Sequence, residues 1–178
     1  MMNSFAETRP RIGPVQVGVI LMALVTAGIH LYYDIYVEDP AQPGFWLFLG
    51  NVIGFLILPA ALYSPIPLVG RFRRAVRTAL IAQATASVIS FLYVYLVILQ
   101  TSFDRVGLVA KAAEILVIVL LTVEAAMNKG EEDERGAVST VVQLVIGLLL
   151  GVGLFVVTIP LISDNSWDYL FLGEYSYK

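Results

Sequence analysis

Seven residues set in otherwise apolar surroundings are the candidates for chemistry in this chain: His30, Asp34, Asn51, Tyr93, Tyr95, Lys111 and Glu114. Together they offer two carboxylates, an ammonium, an imidazole of the type that titrates near neutrality, an amide and two phenols. That set suits proton exchange, ion pairing or recognition of a polar head group. Lys111 and Glu114 stand at i and i+3, so on a helix they share a face and can pair. An ionisable side chain inside a bilayer costs about 2.5–3.5 kcal/mol on insertion scales, which makes such positions the best functional clue available.

The elements that must carry these residues are long apolar runs. They cover residues 15–37, 45–63, 75–99, 106–127 and 138–162, in a chain of 178 residues that is 58% hydrophobic. A hydrocarbon core of about 30 Å needs roughly 20 residues at a helical rise of about 1.5 Å, and each run meets that within the tolerance of tilt. A transmembrane barrel would show segments of about ten residues with alternating polarity, and these runs do not alternate. The predicted fold is therefore all-α: a polytopic five-helix antiparallel bundle over residues 15–162. It is preceded by a polar segment, 1–14, and followed by an aromatic-rich tail, 163–178. The first run is longer than a signal-peptide core and lacks a small-x-small cleavage site, so it is expected to stay as a span.

Basic residues set the expected orientation. Arg9, Arg11, Arg71, Arg73, Arg74, Arg77, Lys129 and Arg135 lie on one side, against Arg105, Lys111 and Lys178 on or near the other. The positive-inside rule then places the amino terminus in the cytoplasm and the carboxyl terminus outside, in a multi-pass protein of the cell membrane. The acidic run Glu131–Glu134 reads as a solvated loop. Ser64-Pro65-Ile66-Pro67 ends the second helix, and Pro59 and Pro160 are expected to kink the second and fifth spans. Trp167, Tyr169, Phe171, Tyr175 and Tyr177 suit the tail to the outer interface.

Antiparallel threading puts His30, Asn51, Tyr93 or Tyr95, Lys111 and Glu114 at similar depth in the outer leaflet, with Thr26, Tyr33 and Asp34 on the His30 face. A shared polar cluster facing the bundle interior or a partner is the expectation. Ala79, Ala82, Gln83, Ala86, Ser87 and Ser90 make one small, polar face on the third span. Gly147 and Gly151 stand at G-x-x-x-G spacing on the fifth, and both patterns are expected to pack helices closely. Arg71, Arg73, Arg74 and Arg77 could meet anionic headgroups.

Several classes of function are disfavoured. The chain has no cysteine and one histidine, so it can supply neither a thiolate metal site nor the two axial imidazoles of a bis-histidine haem. No metal site or cofactor is implied, no phosphate-binding glycine loop or nucleophile elbow appears, and no extended basic surface suits nucleic acid. The partners expected are the lipid bilayer and a homo-oligomer or larger membrane complex. The leading functional expectation is a non-catalytic subunit or scaffold of a membrane assembly. A small proton-linked transporter and a lipid- or quinone-binding protein are the alternatives.

Overall fold

The structure is a computed structural model, and it describes residues 12–36, 40, 43–70, 72–127 and 135–163. Arg9, Arg11, Arg71, Lys129, the Glu131–Glu134 run and the aromatic tail lie outside the described residues. The elements are α1 (Pro14–Tyr36), α2 (Pro43–Leu62), a single turn α3 (Pro67–Gly70), α4 (Arg73–Tyr93), α5 (Arg105–Met127) and α6 (Arg135–Ser163). Five helices are long and apolar enough to cross a membrane, and among the described residues there is no strand. The protein is an all-helical, multi-pass membrane protein.

Local chemistry explains where these helices start and stop. α1, α2 and α3 each open on a proline, whose missing N–H is one of the donors a helix start cannot use. α5 opens instead on Asp104, whose Oδ2 accepts the Gly107 N–H at 2.7 Å, an N-cap to the third helical residue. α2 runs on for three residues past Pro59, and α6 runs past Pro160 to Ser163. α4 is prolonged by a π-helical turn over Val94–Ile98, closed by the Leu99 N–H on the Val94 carbonyl at 2.8 Å. The chain then leaves through Gln100, at φ 50°, a left-handed residue that stops the helix.

α4 is the central helix, packed on α6, α5 and α2, while α1 packs on α5 and α2. α6 reaches α4 through its two glycines. A Cβ at Gly147 would lie 2.7 Å from Ile81, and one at Gly151 would lie 2.5 Å from Thr85 and 2.7 Å from the Ala82 carbonyl. The G-x-x-x-G pair is thus an intramolecular seam with α4. The middle of the bundle is closed by Val19, Ala23, Phe55, Leu80, Ile81, Val117 and Leu121, all buried and apolar. Outward-facing residues such as Leu149 and Val157 are large, apolar and uncovered, as lipid-facing positions should be.

The bundle has two ends. The Pro40 end carries the connections after α1 and after the π turn. The Pro65 end carries the connection around α3, the start of α1 and the end of α5.

Candidate functional site

The site is built on the packed faces of α1, α4 and α5. Along α1 the buried positions Val19, Ala23, Thr26, His30 and Asp34 recur at helical spacing. Along α5 the corresponding stripe is Gly107, Ala110, Lys111, Glu114, Val117, Leu121 and Glu124. The two helices run antiparallel, and the Thr26 hydroxyl donates across to the Ala110 carbonyl at 3.4 Å. Lys111 stands six residues inside the start of α5 and His30 six residues inside the end of α1, each about 9 Å from its helix terminus.

At that depth Lys111 Nζ donates to Glu114 Oε1 at 2.8 Å and Oε2 at 3.0 Å, and to Ser87 Oγ at 2.6 Å. Ser87 in turn donates to Glu114 Oε1 at 3.0 Å. Glu114 is wholly buried. An ammonium with all three N–H bonds filled and a carboxylate held by two donors form a compensated pair, the condition for keeping charge in a low-dielectric interior. Lys111 also lies 5.7 Å from the centre of the Phe91 ring, a cation–π distance.

His30 completes the cluster from α1. Its Nδ1 is 2.8 Å from the Thr26 carbonyl oxygen, which can only accept, so Nδ1 carries the proton. Its Nε2 then faces Glu114 Oε1 at 3.7 Å, too long for a hydrogen bond. The ring is flanked by Phe48 and Phe55, at centroid distances of 5.4 and 6.3 Å.

His30, Ser87 and Lys111 of this cluster line one wall of a cavity of about 650 Å³. α4 supplies its floor through Ala79, Gln83, Ala86, Ser87 and Ser90, and small residues there leave the room the cavity occupies. α2 flanks it with Trp46, Leu47 and Asn51, and α6 with Leu150, Leu154 and Thr158. These two flanking helices touch each other little. Gln83 crosses the floor to donate to the Asn51 backbone carbonyl at 3.1 Å. It passes so close to Gly54 that a Cβ there would lie 2.0 Å from its Oε1.

The predicted site residues fall into three groups. His30, Lys111 and Glu114 meet directly. Asn51 and Tyr95 line the same cavity. Asp34 and Tyr93 stand apart: Asp34 is buried with neither carboxylate oxygen hydrogen-bonded, and Tyr93 packs edge-on against Phe155. Ser87, read as a packing residue, is instead the hydroxyl that joins α4 to the ion pair.

Two further polar clusters had not been anticipated. At the Pro40 end the Tyr33 hydroxyl donates to Asp104 Oδ2. Burial opposes the Asp104 charge, yet the Tyr33 hydroxyl and the N–H groups of Gly107, Val106 and Arg105 outweigh it and hold the carboxyl below its ordinary range. Near the Pro65 end the buried Glu124 accepts from Gln16 and from Tyr63, each at 3.1 Å, with Arg77 at 3.7 Å. Burial first, and the Glu124 charge second, push the Tyr63 phenol up. The sequence signal was a third charged position, Glu124, on the α5 face that already held Lys111 and Glu114, with Arg77 of α4 to pair with it. Of the headgroup candidates, Arg73 donates to the Ser64 carbonyl at 3.3 Å and Arg77 serves Glu124, while Arg74 is exposed.

Glu114 and Glu124 are ten residues apart on α5, about 15 Å. Between them lie Val117 and Leu121, in the dry core that separates the two polar layers. Among the described residues no group of His, Asp and Glu could hold a metal ion. Comparison with protein-family models, curated proteins and solved structures gives no match to this chain. The functional reading therefore rests on the geometry of the site itself.

Proposed function

We propose that this is a non-catalytic protein of the cell membrane that holds one apolar molecule with a polar head, taken from the lipid between α2 and α6. The observation that carries this reading is the cavity itself. About 650 Å³ within a bundle of five spans is the size of a small-ligand pocket. Its lining is mostly apolar, with the Lys111 ammonium, the His30 imidazole and the Ser87 and Ser90 hydroxyls on the α1–α4–α5 side and the Gln83 and Asn51 amides between α4 and α2. Such a pocket suits a molecule whose body is solvated by side chains as it would be by lipid tails, and whose head is fixed by a few hydrogen bonds.

The proposal favours the lipid- or quinone-binding expectation over the proton-linked carrier. The dry layer of Val117, Leu121, Phe55 and Leu80 supports an occupant that enters and leaves on one side. The distribution of Lys and Arg supports the Pro65 end as cytoplasmic, which puts the cavity in the outer half of the bilayer.

The test is mass spectrometry of the protein purified gently from its own membrane, with its small molecules extracted and identified. A single apolar species at about one per chain, enriched over its share of the membrane, is the expected result. Extraction of bulk lipids in their membrane proportions would overturn the proposal. A stoichiometric protein partner found in the same preparation would make the chain the binding subunit of a larger assembly.

A further inference from the structure

The head group that such a cavity accepts is constrained by His30 Nε2, a polar atom on a buried lining residue that makes no hydrogen bond. Lys111 spends all three donors on Ser87 and Glu114. Gln83 donates to Asn51, and Tyr33 donates to Asp104. His30 differs. Its ring is 3% exposed and lines the cavity, its Nδ1 proton is committed to Thr26, and its Nε2 lone pair faces a carboxylate oxygen 3.7 Å away. Two acceptors opposed in a dry wall call for a donor beside them.

Resting on the cavity reading above, we infer that the occupant is an apolar molecule bearing a neutral hydroxyl, which donates to His30 Nε2. The neighbours exclude the other common heads. A carboxylate or phosphodiester brings no proton at neutral pH, and either of these or a phosphate monoester would set a further negative charge beside Glu114, whose one close cation is already engaged. An ammonium would donate, but into the field of Lys111 beside the same imidazole. A hydroxyl donates once, adds no charge and still accepts from a wall donor. Phe48, 5.4 Å from the His30 ring, and Phe91, beneath Lys111, flank the position with aromatic faces, so a flat ring carrying the hydroxyl fits best. A lipid alcohol and a free phenol or quinol share this chemistry.

The chain contains two tryptophans, Trp46 on the cavity flank and Trp167 in the tail. The Trp167→Phe protein is placed in nanodiscs of ether-linked phosphatidylcholine, a lipid without free hydroxyls. It is then titrated with a 4-alkylphenol brominated in its tail, and separately with the methyl ether of that phenol. Saturable quenching of Trp46 is expected from both, with the phenol binding at least about tenfold more tightly, the equivalent of one hydrogen bond to a buried acceptor. His30→Phe should bring the phenol to the affinity of the ether.

Equal affinity of phenol and ether in the unaltered site overturns the hydroxyl assignment and leaves the cavity reading standing. No saturable quenching by either overturns the cavity reading itself. A preference for the phenol that survives His30→Phe moves the acceptor off His30. The wild-type comparison stands even if the His30 variant does not fold. The molecule extracted from the native membrane then separates the two sources, and an occupant without a hydroxyl overturns the inference.

Discussion

Lys111 reaches both carboxylate oxygens of Glu114 from one turn earlier on the same helix, and the Ser87 hydroxyl of α4 bridges the two. The pair is therefore a tie between helices as well as a charge balance. Removing one partner leaves the other charge buried and uncompensated. Lys111→Met and Glu114→Gln should each lower the melting temperature sharply, and the double variant should lose less than the sum of the two. A coupling of about 1 kcal/mol or more is expected from a cycle of thermal unfolding measurements. Additive losses would refute the pairing.

Asp104 caps α5 and accepts from Tyr33, and these donors hold its carboxyl below the ordinary value near 3.8. A group with a depressed folded pKa adds stability above its unfolded pKa and loses it as pH falls through the folded one. Wild type should therefore be more stable than Asp104→Asn at neutral pH, with the gap shrinking as the solution is acidified below about pH 4. Melting curves across that range check it. A gap that does not move with pH would show that the charge of Asp104 is not what matters.

The seam between α6 and α4 makes a graded prediction. A methyl at Gly151 meets the Ala82 backbone carbonyl, which cannot swing aside, whereas the nearest atoms to Gly147 belong to the Ile81 side chain. Gly151→Ala should destabilise more than Gly147→Ala. Gly153→Ala, with nothing within 4 Å of the new methyl, should be neutral or gain up to about 1 kcal/mol from helix propensity. Equal effects at all three positions, read by thermal unfolding, would mean that the seam is not close-packed.

The Glu124 cluster ties α1, α2 and α4 to the end of α5 through Gln16, Tyr63 and Arg77. Glu124→Gln should lower the melting point by more than Tyr63→Phe does. A charge that answers Arg77 is lost in the first, and a single hydrogen bond of about 1 kcal/mol in the second. Binding of the phenol probe should be unchanged in both, because the dry core stands between this cluster and the cavity. A change in probe affinity would show that the two layers communicate.

Orientation can be read directly, because the chain has no cysteine of its own. In intact cells a cysteine at Ser176 should react with an impermeant maleimide, and one at Ser4 only after permeabilisation. The reverse labelling pattern would invert the bundle and place the cavity in the inner leaflet.

The spans were legible in the sequence because length and hydropathy are one-dimensional properties. The expected 15–37 and 106–127 are observed as Pro14–Tyr36 and Arg105–Met127. The meeting of His30, Lys111 and Glu114 was legible because depth along an antiparallel bundle follows from residue counting. Rotation about each helix axis does not follow from counting. By depth Tyr93 is an expected neighbour of Lys111 and Ser87 belongs to a packing face, yet packing brings the Ser87 hydroxyl to Lys111 and lays Tyr93 against Phe155. Glu124 escaped notice because it lies near a helix end, where a charge is ordinarily solvated, yet here it is 5% exposed. The cavity itself is a space left by small residues on α4 and by the parting of α2 and α6. A gap of that kind has no residues of its own to announce it.

That parting has a consequence for how strength of binding is expressed. A site entered from the lipid between those two helices samples its ligand from the bilayer, where an apolar alcohol is concentrated far above its level in water. The natural variable for occupancy is then the mole fraction of ligand in lipid. At fixed total ligand, added lipid dilutes the occupant away from the protein without touching a single contact in the site. Doubling the lipid should double the apparent aqueous dissociation constant and leave the mole-fraction constant where it was.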